Sequence, residues 1–85
     1  MPELSRFLGI VIAIYYRDHA PPHFHAVYGD HEATIDIRTG AVNGYLPRRA
    51  LHHVEEWRQK HEAELLIAWT QAQIGVPPSK IEPLE

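Results

Sequence analysis

His23-Phe24-His25-Ala26-Val27-Tyr28-Gly29-Asp30-His31-Glu32-Ala33-Thr34-Ile35-Asp36-Ile37-Arg38 reads as a β-hairpin. Gly29-Asp30 is a two-residue turn signal with Gly first, as a type II′ turn requires. That turn sets a register in which Tyr28 faces His31, Ala26 faces Ala33, His25 faces Thr34 and His23 faces Asp36. Side chains alternate across a sheet. Phe24, Ala26, Tyr28, Ala33, Ile35 and Ile37 therefore share an apolar face, and His23, His25, Glu32, Thr34 and Asp36 share a polar one. A slip of one residue would mix the two sets, so the pattern itself specifies the pairing. His31 falls with the apolar set at the strand end, where its ring can lean into solvent.

Working outward, residues 9–17 form a further strand in which Ile10, Ile12, Ile14 and Tyr16 alternate with Val11, Ala13 and Tyr15. Both faces are apolar, which calls for cover on both sides; the C-terminal tail or a second subunit is expected to supply the second cover. Pro21-Pro22 cannot extend a ladder and places a loop before the hairpin. The hairpin strands span 23–28 and 31–38, Thr39-Gly40 marks the next turn, and 41–45 is a short fourth strand. From Pro47 to Ile74 the apolar residues Ala50, Leu51, Val54 and Trp57, then Leu65, Leu66, Ala68, Trp69 and Ala72, recur at helical spacing. One helix over 47–74 would be about 42 Å long, against a radius of gyration of about 12 Å for a compact chain of this size. A break near Lys60 to Glu62 follows. The expected fold is α+β: an antiparallel β-meander of about four strands, followed by a helical hairpin or kinked helix packed on one sheet face. Residues 1–85 form a single domain, ending in an extended tail over 76–85.

The chain has 85 residues, no Cys and a net charge of −3. Thiolate metal sites and disulfides are excluded, and the charge does not favour a nucleic-acid or anionic-membrane partner. The apolar run Phe7 to Tyr16 is about half the length that spans a bilayer and lacks a cleavage pattern. A cytoplasmic location is expected. Arg48, Arg49, His52, His53, Arg58, Lys60 and His61 lie along the first helical segment, but Glu55, Glu56, Glu62 and Glu64 interrupt them, which reads as a solvated helix face.

Seven His residues stand out, because His titrates near neutral pH and is the commonest metal ligand. Three readings of the polar face follow. It is a plain solvated side of an antiparallel sheet. Or it is a metal site: His23 and His25 project from one strand face about 7 Å apart, with carboxylates from Asp36 or Glu32 and further ligands from Asp18 or His19. Two His and one carboxylate with open positions suit zinc or iron. Or it is acid–base chemistry of a ribonuclease-like kind using His23, His25 and Asp36, in which Asp36 orients the His23 imidazole. No nucleophile elbow or Gly-rich phosphate loop is present, and the reading leans against an enzyme.

The opening Pro2-Glu3-Leu4-Ser5-Arg6-Phe7 with Gly9-Ile10-Val11-Ile12, the segment Asp18-His19-Ala20-Pro21-Pro22-His23-Phe24-His25-Ala26-Val27-Tyr28, the helix start Leu46-Pro47-Arg48-Arg49-Ala50 with Trp57, and the ending Ile81-Glu82-Pro83-Leu84 together resemble domain-of-unknown-function family 4160. The resemblance brings no established activity and no catalytic residues. Its members resemble small bacterial cytoplasmic proteins encoded beside another short family. This implies a small interaction module, one component of a two-protein, toxin–antitoxin-like system, with a protein partner or a homodimer.

Overall fold

The computed structural model of the protein describes residues 2–84. Five antiparallel strands form one sheet in sequential order: β1 (Glu3–Phe7), β2 (Ile10–Ala13), β3 (His23–Tyr28), β4 (His31–Asp36) and β5 (Val42–Gly44). Two helices follow, α1 (Arg48–Lys60) and α2 (Glu62–Gln73). The expected α+β meander is present, and the hairpin register is the one read from Gly29-Asp30, including His23 opposite Asp36 and His25 opposite Thr34.

The strand count differs by one. Leu8 and Gly9 both have positive φ, 50° and 79°, and make a two-residue turn joining β1 to β2. Such turns favour Gly or Asn at both positions, so Leu8 hides the signal. With Gly9 used by this turn and Arg17 at φ 53°, the strand expected over 9–17 shrinks to Ile10–Ala13. The strand expected over 31–38 ends at Asp36, because Asp36 Oδ1 accepts the N–H groups of Arg38 and Thr39 at 2.9 Å each and starts a turn.

The helical region breaks at His61, which has φ −123° and ψ 24°. The molecule measures 33 × 24 × 22 Å, too short for an unbroken helix of about 42 Å. Glu62 and Glu64 occupy the first turn of α2, where acidic groups complement the helix dipole. Trp57 is fully buried against Phe7 and Phe24, with ring centroids 5.4 and 5.8 Å away. The helices thus cover the Phe24/Ile35/Ile37 face, and the buried side chains of sheet and helices join in one core.

The tail docks on β1. Ile81 N–H donates to the Leu4 carbonyl at 2.9 Å, Trp57 Nε1 donates to the Glu82 carbonyl at 2.8 Å, and Ile81 and Leu84 are buried. Glu85, the end of the expected tail, lies outside the described residues. The tail therefore serves the core and not the second face of β2. On that face Ala13 is buried beside His25, Val11 is half-buried, and the exposed Tyr15 ring stacks on the His25 ring at 4.1 Å.

No helix among the described residues is long and apolar enough to cross a membrane. Arg58, grouped by sequence with a solvated charged face, is instead buried. Its Nη1 donates to the Ile37 carbonyl at 2.8 Å, and its Nη2 pairs with Glu55 at 2.6 Å.

Candidate metal centre

The polar sheet face and the loop between β2 and β3 enclose an open cleft of about 490 Å³. His23 and His25 project into it from alternate positions of β3, as the register requires. The loop brings Asp18 over them. That loop is held by the end of α2: Ala72 carbonyl accepts the Arg17 N–H at 3.2 Å, and Gln73 Nε2 donates to the Asp18 carbonyl at 2.8 Å. Trp69 of α2 packs beside His23 at 5.1 Å between ring centroids. The helix therefore positions the loop carboxylate, a dependence between residues 55 apart in sequence.

Asp18 Oδ2 lies 2.9 Å from His23 Nε2 and 3.7 Å from His25 Nε2. One ligand atom from each of Asp18, His23 and His25 falls within 4.8 Å of the others. Two ligands on one ion with bonds of about 2.1 Å are separated by about 3.0–3.4 Å in octahedral or tetrahedral geometry, and the two distances to Asp18 bracket that range.

The hydrogen bonds behind the imidazoles decide their tautomers. His23 Nδ1 lies 2.7 Å from the Pro21 carbonyl, and His25 Nδ1 lies 3.2 Å from Glu32 Oε2. A carbonyl and a carboxylate only accept, so both Nδ1 atoms carry hydrogen and donate. In the neutral ring Nε2 is then an acceptor. For His23 this sets two acceptors 2.9 Å apart unless a positive centre, a proton or a metal ion, lies between them. His25 Nε2 is buried and has no hydrogen-bond partner; 3.7 Å to Asp18 is too long for one. Donation from Nδ1 to an outer oxygen is how metal-binding His residues are commonly oriented.

Burial pushes the Asp18 carboxyl up, but the His19 N–H, the hydrogen bond to His23 and the charges of both imidazoles outweigh it, so its pKa lies below the ordinary value. Asp18 is thus ready as an anionic ligand near neutral pH.

The other residues singled out by sequence divide. Glu32 stands behind His25, as its hydrogen-bond acceptor. His19 is exposed at the rim, its Nδ1 3.0 Å from Asp18 Oδ1. Asp36 lines the cleft and pairs with His23 in the register, but its carboxylate is turned to the Arg38 and Thr39 N–H groups. The Thr39 N–H bond is the main cause that holds its pKa below the ordinary value. The carboxylate bonded to His23 is Asp18, so the His23–Asp36 dyad envisaged for acid–base chemistry is not formed. Tyr15, Trp69 and Gln73 were not assigned to the site from sequence; their roles depend on contacts that no local pattern announces.

A family model described as domain of unknown function (DUF4160) matches residues 9–70. The chain belongs to this family. The matched span contains Asp18, His23, His25 and Glu32, while β1 and the docked tail segment fall outside it. No curated protein and no solved structure matches the chain.

Proposed function

We propose that the protein binds a divalent transition metal, zinc or iron(II), through Asp18, His23 Nε2 and His25 Nε2. The observation that carries this reading is the buried His25 Nε2, which has no partner while Glu32 fixes the hydrogen on the opposite nitrogen. A buried unpaired acceptor costs about 1–3 kcal/mol, and a metal ion on that lone pair would remove the penalty. The donor set of two imidazoles and one carboxylate suits metals that keep open positions. Elemental analysis of the untagged protein tests it: about one equivalent of metal is expected, falling sharply in His23→Ala and His25→Ala. Unchanged metal content in both variants would sink the proposal.

A second reading is a small interaction module, as in a two-protein system. It is supported by α2, which buries Leu65, Ala68, Trp69 and Ala72 yet also exposes Ile67 at 59%, with Ile74 at its C-cap exposed at 67%. A helix apolar on both sides is usually covered on both. A partner protein or a second copy would cover the outer side. Size-exclusion with light scattering is the test; a strict monomer with no co-purifying partner counts against it.

A further inference from the structure

We infer that the ligand completing the metal's coordination is a neutral oxygen or nitrogen donor, and that the cleft discriminates against phosphate esters and other multiply charged anions. The inference rests on the metal reading above and names the class of molecule that site takes.

The open side of the Asp18–His23–His25 group faces the cleft, because all three line it. Across the sheet, His25, Thr34 and Asn43 lie in one row on neighbouring strands. The Thr34 hydroxyl and the Asn43 amide therefore continue from the metal group toward the free edge of the sheet. Both are neutral groups that donate and accept hydrogen bonds. Tyr15 adds an aromatic wall on the other side of His25.

Phosphate sites are built from Arg or Lys side chains and from helix N-termini. Among the described residues, no Arg or Lys lines this cleft. Arg58 is bound to Glu55 and the Ile37 carbonyl, and Arg6 to Glu3. Arg49 lines a separate groove with Leu8, Tyr28 and His53. Arg17 extends toward Gly75, near enough that a Cβ there would meet its Nη2 at 2.6 Å. The carboxylates in and beside the cleft are Asp18, Asp36 and, behind His25, Glu32, and Arg38 acts on Asp36 from beside the cleft without lining it. A divalent ion bound to Asp18 keeps one net positive charge, which Glu32 behind His25 offsets, while Asp36 is partly balanced by Arg38. A dianionic phosphoryl group would meet the metal with no Arg or Lys lining the cleft, and with Glu32 and Asp36, the latter offset in part by Arg38, opposing it. A neutral amide, alcohol or imine donor meets no such opposition and finds Thr34 and Asn43 as partners.

The test uses the full chain loaded with Co²⁺, whose visible absorption bands respond to added ligands. Imidazole is the neutral probe and inorganic phosphate the anionic one. The wild type is expected to bind imidazole at least about tenfold more tightly than phosphate. Thr34→Lys, which puts a cation between His25 and Asn43, is expected to narrow that ratio about tenfold. Phosphate binding as tight as imidazole in the wild type, or no response to either probe, would overturn the inference while leaving the metal site in place. Failure of the metal reading is a different outcome: no Co²⁺ bands in the wild type, or the same bands in the His23→Ala/His25→Ala double variant. That outcome removes both.

Discussion

Replacing His25 by Phe should make the metal-free protein more stable and the metal-bound protein impossible. His25 is 8% exposed, and its Nε2 has no partner. Removing that buried nitrogen returns about 1–3 kcal/mol of desolvation penalty. The stacked contact with Tyr15, 4.1 Å between centroids, survives in Phe, so its contribution of about 0.5–1.5 kcal/mol is kept. What is lost is the Nδ1 bond to the Glu32 carboxylate, worth about 1.5–3 kcal/mol when fully buried but only about 1 kcal/mol here, because solvent screens the half-exposed carboxylate. The Glu32 side chain is 52% exposed and is readily hydrated once released. The balance favours the variant by about 1 kcal/mol, a rise in Tm of about 4–8 °C for a domain of this size. Adding zinc reverses the order. A ligand at a hundred times its Kd stabilises the folded wild type by about 2.7 kcal/mol, and the variant gains nothing from it. Thermal melts in EDTA and in excess zinc read both effects, with His25→Leu as a control for the larger Phe ring. If both variants melt below the wild type in EDTA by 1 kcal/mol or more, His25 is a structural residue, and its Nε2 carries no burial penalty for a metal to relieve.

Three further outcomes follow from single contacts. Ile81→Ala, which removes a buried side chain where the tail crosses β1, should cost about 2–4 kcal/mol in a denaturant melt; a change below about 0.5 kcal/mol would mean the tail is not docked in solution. Gln73→Ala, which frees the Asp18 carbonyl, should weaken metal affinity several-fold in a competition assay with little loss of global stability; an unchanged affinity would show that α2 does not position the ligand loop. Asp18 and Asp36 both have folded pKa values below the ordinary one, so the folded state binds fewer protons than the unfolded state. Their contribution is present above the unfolded carboxyl pKa, about 3.9, and is lost as pH falls through the folded values. Urea melts of the metal-free protein should therefore weaken below about pH 4, and less so in an Asp18→Asn/Asp36→Asn variant.

The hairpin was legible because its evidence is local. Gly29-Asp30 and the alternation around it lie within sixteen residues, and one register satisfies all of them. The helix break was legible by length alone, although His61 offers no capping side chain. β1 was not, because its turn places Leu8 at a positive φ that sequence rules reserve for Gly or Asn. The buried Arg58 was misgrouped for a related reason. A charged residue at a helical position reads as solvent-facing unless its partners are known, and one of those partners is a carbonyl 21 residues earlier.

The site shows the same division more sharply. His23 and His25 are placed by strand alternation, which any reader of the hairpin can apply. The choice of carboxylate cannot be made that way, because register puts Asp36 opposite His23 and says nothing of Asp18. Two facts overturn the choice. Asp36 lies two and three residues before the N–H groups it accepts, and such local bonds compete well against a cross-strand contact. Asp18 is brought in by a loop whose conformation is set by Gln73 and Ala72 at the end of α2. The helices thus contribute to the polar side of the sheet without covering it. Their far end fixes the loop that supplies the anionic ligand. A change in how α2 packs, including one caused by a partner seated on Ile67 and Ile74, would reach Asp18 through the same two hydrogen bonds, so the metal reading and the interaction reading meet in one helix.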